Sequence, residues 1–115
     1  SSAASDVYKR QVRENQMEKS LSLALSGAMN RYYEPNMYIV DKKPVSSYDV
    51  EKAVIEDINE RLTAGGNAIA TVYVCDMEKG IISAGIEEEF KLPTGVTKKI
   101  SCKKTIVADQ PMEDN

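Results

Sequence analysis

Residues 68 to 107 hold three β-prone runs separated by two short glycine-bearing turns, and this spacing narrows the possible folds more than any other feature. Ala68 to Cys75 is rich in Val, Ile, Tyr and Thr, the residues that suit a pleated surface. Met77-Glu78-Lys79-Gly80 follows as a hairpin turn, with glycine where a left-handed backbone is needed. Ile81 to Leu92 is the second run, Pro93-Thr94-Gly95 the second turn, and Val96 to Val107 the third run. Connections this short join antiparallel neighbours, so a three-stranded antiparallel meander is expected.

The register follows from which face stays apolar. Pairing Leu92 with Val96 sets Phe90 opposite Lys98, Ile86 opposite Cys102 and Ile82 opposite Ile106. Glu89 then lies opposite Lys99 on the other face, an attractive cross-strand pair. A one-residue slip would move a whole hydrophobic set into water. Carried back through the Lys79-Gly80 turn, the same parity sets Val74 against Ile82 and Val72 against Ala84. It places Cys102 on the core face and Cys75 on the opposite one, which disfavours a disulfide between them.

Two amphipathic helices precede the meander. From about Val12 to Tyr33, Met17, Leu21, Leu25, Ala28 and Tyr32 recur at helical steps, with Leu23 and Ala24 widening the stripe. Arg13, Glu14, Glu18, Lys19, Ser22 and Asn30 fall on the other faces, and Pro35 stops the helix at about Tyr33. Asn36 to Val40 reads as a short strand or extended connector at 37–40, ending in the turn signal Asp41-Lys42-Lys43-Pro44. Ser46 then announces a second helix, with Asp49 at the acidic position of a capping box. Val50, Val54, Ile58 and Leu62 follow at steps of four, and Gly65-Gly66 is expected to end it. The expected fold is therefore α+β: a long N-terminal helix, a second capped helix and a three-stranded antiparallel meander, in two layers.

Composition excludes more than it suggests. A chain of 115 residues is one domain by length. With no tryptophan and a single phenylalanine, its core must come from aliphatics, Met and six tyrosines. Net charge is −3, against the basic balance expected of a nucleic-acid binder. Histidine is absent, which removes the commonest general base and the commonest metal ligand. No CxxC, P-loop, GxGxxG or GxSxG motif occurs. No stretch approaches the roughly 20 apolar residues of a transmembrane helix.

Four features invite a functional reading, and each has a structural one beside it. Glu87-Glu88-Glu89 alternates faces, so Glu87 and Glu89 share one side, and a solvated sheet face outweighs a metal site. Lys98, Lys99, Lys103 and Lys104 form a basic strip that suits an anionic partner or the protection of a sheet edge. Lys98 and Lys104 fall on the core face and belong at its rim, with stems packed and heads in water. Most of Tyr32, Tyr33, Tyr38, Tyr48 and Tyr73 are assigned to core and perimeter rather than to an aromatic cleft. Cys75 and Cys102 read as two buried thiols acting as small hydrophobes. No catalytic, cofactor-binding or metal-ligating residue is assigned, and no cofactor is expected.

Three stretches carry a resemblance: MEKSLSLALSGAMNRYY, SSYDVEKAVIEDINERL and EEEFKLPTGVTKKISCKKTIVAD. Over residues 12 to 109 this layout resembles the soluble parts of small, membrane-anchored, pilin-like proteins of Gram-positive anaerobes, which occur with Tad-type or type IV pilus-like genes. The resemblance implies a bacterial, non-enzymatic, extracytoplasmic domain tethered through an apolar segment upstream of Val12. Protein partners or self-association are then expected, with no nucleic acid and no small-molecule substrate. SSAASDVYKRQ resembles translated sequencing-adapter read-through, as found at broken ends of metagenomic gene predictions. On this reading residues 1–11 are a non-native leader, 12–109 the single α+β domain and 110–115 a flexible tail. A helix extension through Val7, Tyr8 and Val12, with Asp6 as a cap, is the competing reading of the start. Two other functional classes stay open: a small cytoplasmic interaction module that dimerises through the last strand or through exposed parts of the first helix, and an enzyme using Glu or Lys groups in a cleft between helices and sheet.

Overall fold

A helix that buries one stripe and a sheet that buries one face need each other, and here each supplies the other's cover. The computed structural model describes residues 2–33, 46–62 and 67–108. The expected strand at 37–40, the Gly65-Gly66 helix end and the 110–115 tail lie outside the described residues. Within them, α1 (Ser2–Tyr32), α2 (Ser47–Arg61), β1 (Ala68–Asp76), β2 (Ile81–Lys91) and β3 (Thr97–Val107) follow in order. The architecture is α+β. One antiparallel sheet has the order β1-β2-β3, with α2 packed on β1 and α1 on β2 and β3.

Between β2 and β3 the pairing is the expected one: Phe90 with Lys98, Ile86 with Cys102, Ile82 with Ile106 and Glu89 with Lys99. Gly95, at a φ of 90°, lets the connecting turn close, with the Leu92 amide donating to the Val96 carbonyl at 2.8 Å. The β1–β2 register holds only as far as Val72 with Ala84. A bulge at Tyr73 then shifts the pairing, so that Val74 meets Ser83 and Cys75 meets Ile82. The extra residue reverses the parity of everything after it. Val74 is therefore exposed, and Cys75 packs against the core rather than on the opposite face.

A disulfide is still excluded, for a different reason. Cys75 lies beside Ile82 and Cys102 beside Ile86, on opposite sides of β2 and four residues apart along it. Two interstrand steps and four residues of rise separate them by about 16 Å, far beyond bridging reach. Both thiols are free.

The turn between β1 and β2 is tied to α1. Asp76 Oδ1 accepts from the amides of Glu78 and Lys79, at 3.1 and 2.9 Å, which shapes the Met77–Gly80 reversal. Gly80 has a φ of 72°, and a Cβ there would sit 2.6 Å from the Ala108 Cβ and 2.8 Å from the Tyr33 ring. Glycine is needed at this turn on both grounds.

The helix stripe is buried as the spacing predicts, with Met17, Leu21, Leu25 and Ala28 in the core and Tyr32 packed against it. Leu23 does not join them. It is 44% exposed because its position points away from the sheet, whereas Ala24 faces inward. In α2, Val50, Val54 and Ile58 are buried and Leu62 packs at the margin. Ser46 is the N-cap: its side chain accepts from the Asp49 amide at 3.2 Å.

α1 starts well before Val12. Residues 2–11 contain neither glycine nor proline, and the Arg10–Glu14 and Gln11–Asn15 pairs span one turn of helix at 3.1 Å each. Asp6 lies inside this helix instead of capping it. Among the described residues, none before Met17 belongs to the core.

Candidate functional site

Following the core stripe of α1 towards its N-terminus replaces apolar side chains by Arg13, Arg10 and Asp6. Arg13 turns onto the sheet and meets Glu88, which alternation places on the core side of β2. Arg13 Nε donates to Glu88 Oε2 and its Nη2 to Glu88 Oε1, both at 2.6 Å. The side chains are 12% and 4% exposed, so this forked pair lies under the helix. The hydrogen bond to Glu88 raises the Arg13 pKa above its ordinary value, outweighing burial, which acts the other way. The third donor direction of Arg13 is used by Gln16 Oε1 at 3.0 Å. The sequence puts Arg13 on an outer helix face, and alternation sets Glu87 and Glu89 on one side of the strand and Glu88 on the other, with a solvated sheet face preferred to a metal site. Glu87 and Glu89 do face water, but Glu88 is buried because it is on the other side of the same strand.

The four lysines of β3 divide as the pleat requires. Lys104 reaches back under α1 and donates to Ser22 Oγ at 2.7 Å, while Lys98 is exposed at the far end of the strand. On the outer face Lys99 lies 3.7 Å from Glu87, diagonally across the strands, and not beside its register partner Glu89. Lys103 sits 4.6 Å above the Tyr73 ring. That ring covers Gly85, where a Cβ would come within 3.1 Å of the Tyr73 ring, its hydroxyl and the Cys102 carbonyl. Tyr73 is thus a strap across the sheet, and its bulge aims it there. The other tyrosines differ among themselves: Tyr33 is core, Tyr32 marginal and Tyr48 exposed. Tyr38 lies outside the described residues.

Both thiols titrate above the ordinary range. Burial, then the charges of Glu51 and Asp76, push Cys75 up to about 11. Cys102 is raised by burial, then by Glu18, with Glu14 adding and Lys104 opposing. Neither is an activated nucleophile, since reactivity follows the thiolate.

One hollow lies between the helices, a groove of about 480 Å³. Ala24, Gly27 and Ala28 form its α1 wall, and Arg31 stands at the rim. On α2, Ala53 leaves space while Glu56, Asp57 and Glu60 give it a row of carboxylates. Asp57 is held by Arg61 at 2.9 Å, one turn away. Among the described residues no three His, Cys, Asp or Glu side chains are grouped to hold a metal ion. No helix among them is long and apolar enough to cross a membrane. Neither wall pairs a base with a nucleophile, so the groove offers shape and charge without an assembled reaction centre. Compared with family profiles, curated proteins and solved structures, the chain shows no match in any of the three.

Proposed function

We propose that this chain is a non-enzymatic interaction domain, the extracytoplasmic part of a membrane-anchored, pilin-like or secretion-associated protein. One observation carries the reading. A long leading helix lies along an antiparallel sheet through its C-terminal half, from Met17 to Tyr33, with a second helix beside it. This is the layout that the sequence resemblance implies. The absence of histidine and the lack of a nucleophile–base pair in the groove add support. The test is the intact coding sequence upstream of Val12. An in-frame apolar segment of about 20 residues is expected there, and a hydrophilic start in its place overturns the tether.

A second reading, a dimerisation module, is favoured by the contrast between the two sheet edges. Pairing β3 with its own copy about Ser101 would set Lys98 against Lys104 and Lys99 against Lys103, like charges face to face. β1 carries no charged residue from Ala68 to Cys75 and exposes Ile69 and Val74. Sedimentation over a concentration series tests it. A monomer at all concentrations removes this reading and leaves the first untouched.

A further inference from the structure

A second hollow, of about 340 Å³, lies where the middle of α1 passes the end of α2. Its polar lining comes from Arg13, Gln16, Lys19, Ser20 and Arg61, and its apolar lining from Leu23 and Leu62. Among the described residues no carboxylate lines it, although the chain as a whole is acidic at −3. The hydrogen-bonding inventory is one-sided. Gln16 has its side-chain oxygen taken by Arg13, which leaves its amide NH₂ to donate. Of the five N–H groups of a guanidinium, Arg13 uses two on Glu88 and one on Gln16, keeping two. Among the described residues Arg61 uses only Nε, on Asp57, and keeps four. Lys19 adds its ammonium and Ser20 its hydroxyl. Leu23, which the core does not use, stands exposed at this hollow, and a volume of this size suits a small ligand.

We infer that this hollow binds a carboxylate carried on a short aliphatic stem, with the oxygens held by Lys19 and Arg61 and the stem against Leu23 and Leu62. Arg13 is a positioning residue: Glu88 fixes its guanidinium, so its remaining donors are held in place before the ligand arrives. The same chemistry is offered by a free small carboxylate and by the C-terminus of a peptide ending in an aliphatic residue. This site adjoins the interhelical groove through Arg61, which lines both, and it does not depend on the membrane tether.

The experiment is a titration of the isotopically labelled full chain, followed by its amide resonances, with hexanoate, with hexanol, and with a leucine-terminated peptide as free acid or amide. Saturable shifts at Lys19, Ser20, Leu23 and Leu62 are expected with hexanoate or the free-acid peptide, and not with hexanol or the amide. Whichever acid binds more tightly names the source. The double variant Lys19→Gln/Arg61→Gln should weaken binding at least about tenfold, since charge-assisted hydrogen bonds to two cations are lost. Leu23→Ser, at an exposed position, should weaken it severalfold without disturbing the fold. Lys79→Gln, in the β1–β2 turn beside the C-terminal end of α1, should leave it unchanged. Equal binding of hexanol, unchanged affinity in the double variant, or no saturable shift up to about 10 mM, the weak end of specific affinities, would each overturn the proposal.

Discussion

Between Met17 and Tyr33, α1 meets the sheet through Met, Leu and Ala side chains that are almost wholly buried. Between Asp6 and Arg13 the same stripe carries two arginines and an aspartate, and a forked ion pair to Glu88 is what holds it. The two halves of one helix therefore dock by different physics. Apolar burial is non-directional, worth about 1.5–3 kcal/mol for each large side chain, and tolerates small rotations of the helix. The ion pair gains little net stability once desolvation is counted, but its geometry accepts only one rotation and one height of the helix over β2. The C-terminal half supplies affinity for the sheet, and Arg13 sets the angle.

The largest test of this contrast is Leu21→Ala. Removing a fully buried leucine should lower unfolding free energy by about 3–4 kcal/mol in urea titrations, through lost transfer energy and the cavity left behind. A loss under about 1 kcal/mol would mean that the apolar half is not the main anchor. Next comes Glu88→Leu, which leaves the Arg13 guanidinium without its carboxylate under the helix. About 3 kcal/mol should be lost, whereas Arg13→Met combined with Glu88→Leu should recover most of it. A double variant as unstable as the single one would show that the pair contributes more than its mutual compensation.

Much of this contrast can be traced in the sequence, and the remainder has definite causes. The apolar stripe of α1, the Ser46 cap, both turns and the β2–β3 register follow from periodicity and local turn chemistry, which act over a few residues. Three features do not. The bulge at Tyr73 depends on how one extra residue is accommodated in a ladder, and nothing in the Val-Tyr-Val run signals it; parity alone misplaced Cys75. The Arg13–Glu88 pair joins residues 75 positions apart, so alternation turns Glu88 to the inner side of β2 but nothing local names its partner. Leu23 shows a third limit: an apolar side chain in a helix need not be on the buried face, and its exposure gains meaning only beside Arg13, Lys19 and Arg61.

The thiols sharpen the comparison, since Cys102 lies beneath the middle of α1, where the two halves meet. Its pKa is raised by burial and then by Glu18. An unfolded thiol titrates near about 8.5, so the unfolded chain loses its proton first as pH rises. The stability this group contributes is whole below that point and falls as pH climbs through the folded value. Cys75 shows the same sign over a window reaching about 11. Thiolate absorbance against pH should resolve two late titrations. Glu18→Gln should bring only the Cys102 titration to lower pH, because Cys75 answers to Glu51 and Asp76 instead. If Glu18→Gln moved both, the two thiols would share one electrostatic environment and the halves of α1 would not be separable there.

The smallest effect should come from the first turns of α1, before Arg13. Val7 and Tyr8 are 68% and 71% exposed, so Val7→Ser and Tyr8→Ser remove little burial. Serine, valine and tyrosine have similar helix propensities, so the backbone has no reason to change either. Unfolding free energy should therefore move by less than about 0.5 kcal/mol. The informative measurement is the same pair of variants at low and high protein concentration. A change that grows with concentration would show that these side chains are covered in an assembly, and the N-terminal half of α1 would then owe its stability to a partner as well as to Glu88. A small, concentration-independent change leaves the division as drawn: an apolar half that fixes α1 to the sheet, and a polar half located by one buried ion pair.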